Sequence, residues 1–172
     1  MLVSNQVIRE FWEDEFIKYE ENSLQKFGLS NETISFLTDV GLPNEEILKK
    51  NGINHYFYDS TNFDEKIINN EKYIIVGKQK DISDYYCIKC ETDEFVILDG
   101  SNVVYINSSI RNYIIFEQIC RSEFYKVKAY EEEEMMAAVS RMKEKFVLIE
   151  PEALAEGSYW DQYLFPYEIG FL

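Results

Sequence analysis

Cys87 and Cys90 stand three apart, the C-x-x-C spacing used by zinc sites and thiol redox centres. A structural zinc site needs four ligands. The third cysteine, Cys120, has no neighbouring cysteine or histidine, and the single histidine, His55, is distant in sequence. Residues three apart on a strand point to opposite faces, so a strand YYCIKC cannot offer both sulfurs to one metal. Redox C-x-x-C motifs usually open a helix, and this one sits in a β-rich run. Both cysteines are therefore expected to be ordinary sheet residues, with no metal bound.

One histidine also restricts nucleophilic catalysis, because a Ser-His or Cys-His pair would have to use His55 as base. His55 lies in HYFYD, where a partly exposed strand histidine is the expected role. The candidate nucleophiles are Ser108 and Ser109, in VYINSSIRNYIIF, at the change from strand-like to helix-like periodicity. No G-x-S-x-G elbow, glycine-rich loop or H-E-x-x-H accompanies them. Asn107, Ser108 and Ser109 all carry capping side chains, and Ser108 is expected to cap the helix that follows. The acidic groups Glu13-Asp14-Glu15, Glu91 to Glu94 and Glu131 to Glu134 lack calcium-loop spacing and read as solvated faces or helix starts. No catalytic residue and no cofactor is expected.

The elements that hold these residues follow from pattern. Ile8, Phe11, Trp12, Phe16 and Tyr19 recur at helical spacing, predicting an amphipathic helix from Asn5 to about Tyr19. A short helix begins at Ser30 or Asn31 and stops at Gly41-Leu42-Pro43. Short β-rich runs near residues 55, 73, 85, 95 and 102 predict strands of one sheet, with Asp99-Gly100-Ser101 turning a hairpin between the last two. Helix returns from Ser108 and again from about Tyr130 to Lys145, where acids lead and bases trail as the helix dipole favours. The apolar positions Met135, Val139, Met142 and Phe146 form a core stripe on it. A run VLIE and then Pro151 follow, with a last helical turn or two expected around Trp160. The class is α+β: a single, mainly antiparallel sheet of about five to six strands flanked by helices, in one domain over residues 1–172.

Composition bounds the function. The chain has 32 acidic and 17 basic residues, a formal net charge of -15, which repels nucleic acid and anionic membranes and favours a basic partner. No apolar run approaches the ~20 residues that span a bilayer, the start lacks a signal-peptide pattern, and three cysteines suit a reducing compartment, so a cytoplasmic protein is expected. The 13 tyrosines exceed what a core buries cheaply, because each hydroxyl wants a partner. Tyrosines beside carboxylates make a good protein-binding surface.

The ordered segments FLTDVGLP, EFVILDGSNVVYINSSIRNYIIF and PEALAEGSYWDQYL resemble the SUKH superfamily of bacterial immunity proteins, its fourth subfamily most closely. The matching motif positions are Gly41, Leu42 and Pro43; Asp99 and Gly100; and Asn107, Ser108 and Ser109. The resemblance implies a helix-packed antiparallel sheet and a non-catalytic role: binding and neutralising a cognate toxin, often a nuclease or deaminase. It also leaves open a regulatory or scaffold module that binds protein outside toxin conflict. The stretch STNFDEKIINNEK looks particular to this chain and suited to partner choice. Candidate partner contacts are Tyr56, Tyr58, Asp59, Asp81, Asp84, Tyr85 and Glu91.

Overall fold

The computed structural model describes residues 3–127 and 131–170. Helix α1 spans Asn5–Phe11, with the Ser4 hydroxyl accepting from Val7 N. It stops well short of Tyr19. Glu13 and Asp14 take left-handed backbone angles, and Asp14 N donates back to Arg9 O at 3.0 Å, closing the helix. Phe16 and Ile17 then form strand β1, paired antiparallel with β2, Leu42–Pro43. Helical spacing continued through EDEF, but this tertiary pairing overrides it.

Helix α2, Glu21–Leu24, runs into a 3-10 turn at Gln25–Phe27 that Gly28 ends. Helix α3, Asn31–Asp39, is capped by the Ser30 hydroxyl, which accepts from Thr33 N. Gly41 follows at φ 91, and a Cβ there would lie 2.2 Å from Ile17 O, so the expected stop is also a point of close approach to β1. Helix α4, Glu45–Lys50, starts on the Asn44 side chain, with acids in its first turn and lysines in its last.

The main sheet contains β3 (His55–Phe57), β4 (Asp64–Ile68), β5 (Glu71–Gln79), β6 (Tyr85–Lys89), β7 (Phe95–Asp99) and β8 (Asn102–Asn107). Its order is β3-β5-β6-β7-β8, all antiparallel, and β4 pairs with the first half of β5 on the side where β3 pairs with the second. Strand β4 was not expected, since DEKII reads as polar. Its marker is Asn69-Asn70, both left-handed, the two-residue turn of a tight hairpin. The β7–β8 hairpin forms as expected, with positive φ on Gly100 and Asp99 opposite Asn102.

Helix α5 spans Ile110–Phe124 and helix α6 Glu132–Ile149, so the run VLI after Phe146 completes α6. Tyr130, the expected start of that helix, lies outside the described residues. The stripe Met135, Val139, Met142 and Phe146 is buried. A 3-10 turn at Pro151–Leu154 leads to α7, Tyr159–Glu168, longer than the turn or two expected and containing Pro166.

The sheet has two buried faces. Ile74, Val76, Tyr86, Ile88, Phe95 and Ile97 face the helices, where Tyr113, Phe116, Phe146 and Trp160 complete the main core. Phe116 and Phe146 stack at 3.8 Å between centroids, joining α5 to α6. The opposite face carries a smaller cluster of Ile68, Tyr73, Ile75, Cys87, Val96 and Leu98. Cys87 and Cys90 divide between these clusters, as strand alternation requires. Burial pushes the Cys87 thiol up to about 12.

Candidate partner-binding face

Alternation along β3 turns His55 and Phe57 inward and Tyr56 outward, with Tyr58 beyond the strand end packed on the outer cluster. Register then sets Tyr56 opposite Lys78, and Lys78 opposite Tyr85. The Tyr56 and Tyr58 rings meet edge to face at 5.5 Å. Partial burial, then the neighbouring Tyr56, pushes the Tyr58 hydroxyl up to about 12, so it stays a neutral donor. Lys78 Nζ lies 5.8 Å from the centroid of the Tyr85 ring, and Lys66 Nζ lies 5.9 Å from it. Lys66 also donates to Gly100 O at 3.2 Å, so its side chain crosses from β4 towards the β7–β8 turn. An edge strand can reach that turn only if the outer face is concave. A groove of about 430 Å³ opens there, lined by Tyr58, Asn62, Asp64, Ile75 and Tyr85.

The expected partner residues separate into two places. Tyr56, Tyr58 and Tyr85 share the outer face, and Asp84 precedes Tyr85 directly. Asp59 adjoins them, but its carboxylate accepts from Thr61 N at 2.9 Å and Asn62 Nδ2 at 2.8 Å, holding the 3-10 turn Ser60–Asn62. Those bonds, the Thr61 hydroxyl first, keep its pKa below the usual carboxylate range. Asp81 sits in the β5–β6 turn with a left-handed backbone. Glu91 lies at the other end of β6, in a groove of about 360 Å³ beside the starts of α3 and α5. Asn62, Asp64 and Lys66 fall in the stretch STNFDEKIINNEK read as suited to partner choice, whereas Ile75 and Lys78 on β5 were missed.

The N-S-S element does structural work around Glu150. This carboxylate is 5% exposed and receives five hydrogen bonds: from Tyr105 OH, Asn107 Nδ2, Ser108 N, Ser108 Oγ and Asn112 Nδ2. Asn107 Oδ1 accepts from Trp160 Nε1 at 2.9 Å, tying α7 to the same point. The cap of α5 is Ser109, whose hydroxyl accepts from Asn112 N, and not Ser108, whose hydroxyl donates to Glu150. A base for either serine does not come from His55. That residue is 4% exposed, against the expectation of a partly exposed one, and its Nε2 lies 3.2 Å from Tyr113 OH. Burial, then the charge of Arg121, pulls the His55 pKa down to about 3, leaving the ring neutral.

Among the described residues no His/Cys/Asp/Glu group is arranged to hold a metal, and no helix is long and apolar enough to cross a membrane. The family model for the SUKH-4 immunity protein matches residues 4–165. The chain belongs to the SUKH-4 immunity protein family. No curated protein and no solved structure matches it. In SUKH-4 terms, the matched span takes in the Gly41 stop, the β7–β8 hairpin and the Glu150 hub, and it ends inside α7.

Proposed function

We propose that this SUKH-4 protein is a cytoplasmic, non-catalytic immunity protein that binds a cognate toxin domain and blocks it, the toxin being a nuclease or deaminase with a basic surface. The observation that carries the reading is the concave outer face, where Tyr56, Tyr58 and Tyr85 offer large, half-buried rings beside a groove. Half-buried tyrosines supply contact area with little loss of side-chain freedom. The net charge of -15 steers the chain toward a cationic surface, where it competes with nucleic acid.

The test is co-expression with the toxin domain encoded immediately upstream, followed by co-purification and a toxicity assay. A complex that protects cells and weakens with salt is expected. Absence of a complex at every ionic strength would overturn the reading. Within the complex, the double substitution Tyr58→Ala and Tyr85→Ala should weaken binding by on the order of hundredfold, as loss of two anchor rings does.

A further inference from the structure

We infer that the outer-face groove receives an acidic side chain of the toxin, held between Lys66 and Lys78 over the Tyr85 ring. The inference rests on the immunity reading and narrows it. Elsewhere on the sheet, lysines are neutralised within the chain: Lys72 pairs with Glu65, Lys80 with Glu45, and Lys89 with Glu71 and Glu94. Lys66 and Lys78 form no ion pair among the described residues, in a chain where carboxylates outnumber cations 32 to 17. Shortage of acids does not explain this pair.

Both ammonium groups lie within 6 Å of the centroid of the Tyr85 ring, which itself lines the groove. Two cations beside one ring, neither of them neutralised within the described residues, attract a carboxylate that docks against that ring. Lys66 uses one N–H on Gly100 O and keeps its others for a ligand. The groove, about 430 Å³, holds an acidic side chain with room for the aliphatic stem on Ile75. Asp64 lines the same groove; its carboxylate accepts from Glu65 N and has no cationic partner among the described residues. It makes a basic anchor the natural competing occupant. The positive pair is favoured because two cations converge on the Tyr85 ring, whereas Asp64 stands alone. The acidity of the rest of the molecule then steers encounter, and this local reversal of sign fixes register.

The test uses the full chain and the toxin domain from the adjacent reading frame, with affinity measured by calorimetry. Lys66→Met and Lys78→Met keep the aliphatic stems that cover the sheet while removing charge. The double variant should bind on the order of hundredfold more weakly, with an unchanged thermal midpoint, and Asp64→Asn should bind as well as the parent or better. Lysine variants that bind like the parent would overturn the inference. So would weakening by Asp64→Asn alone, which would assign a basic anchor. If the parent chain itself fails to bind, the immunity reading falls and this inference with it. Failure confined to the lysine variants leaves that reading standing.

Discussion

Ser108 and Ser109 offer the same hydroxyl one residue apart, and local sequence cannot decide which one caps α5. The decision comes from Glu150, 42 residues away, whose carboxylate engages Ser108 through both backbone and side chain. Such a pairing has no local signature, so the change from strand to helix at this element was legible in the sequence and its hub was not. Glu150→Ala strands several buried donors at once and should cost about 3 kcal/mol, measured as a shift in urea midpoint. Glu150→Gln retains one acceptor oxygen and should cost less. His55 permits a pH test with a definite sign. An unfolded chain protonates its histidine near pH 6.5, whereas the fold holds His55 neutral down to about 3. The unfolded state therefore binds more protons between these values, and stability falls as pH drops through that window. From pH 7 to 5 the loss should be about 2 kcal/mol, and His55→Phe should abolish that component. Glu123 does not interfere: burial raises its pKa, but hydrogen bonds from Lys126, Lys145 and Arg141 outweigh burial and hold it at about 2. Its contribution is complete above the ordinary carboxylate value and is lost only as pH falls from there toward 2.

Elements were legible where chemistry marks both ends. Helix α3 carries a serine cap and a glycine stop, and β7–β8 carries a glycine turn; both formed as expected. Helix α1 starts at Asn5 as expected, but it ends early because Phe16 and Ile17 pair with Leu42–Pro43, a contact between distant segments. The same contact makes Gly41 irreplaceable. Gly41→Ala would add a Cβ 2.2 Å from a backbone oxygen at a positive φ, and should destabilise by about 3 kcal/mol or more. Strand β4 failed for another reason. As an edge strand its polar positions need no core, so hydrophobic alternation is weak and only the turn announces it. Asn70 holds φ 66 in that turn, and Asn70→Gly should stabilise by about 0.5 kcal/mol, read as a higher urea midpoint.

At the scale of the molecule, α+β class and the mainly antiparallel sheet followed from the spacing of short β-rich runs between helices. The candidate face was legible in part. Strand alternation gathers Tyr56 and Tyr85 on one side, but Glu91 could not join them, because β6 carries the chain from Tyr85 to the far end of the sheet. What no sign count reveals is that two lysines with no ion pair among the described residues stand beside the Tyr85 ring at this groove, in a chain of strong net negative charge. That separation predicts different kinetic effects for the two charges. Steering by the whole molecule acts on encounter, so raising salt from about 50 to 500 mM should slow association with the toxin by tenfold or more. The lysine pair is at least partly shielded in the docked groove, where screening by salt is weaker, so salt should change dissociation far less. Lys66→Met with Lys78→Met should do the reverse, accelerating dissociation while leaving association nearly constant. Stopped-flow association and surface-based dissociation measured on the same variants distinguish the two. If the lysine variants altered only association, the groove would be a part of the steering field and not the place where register is fixed.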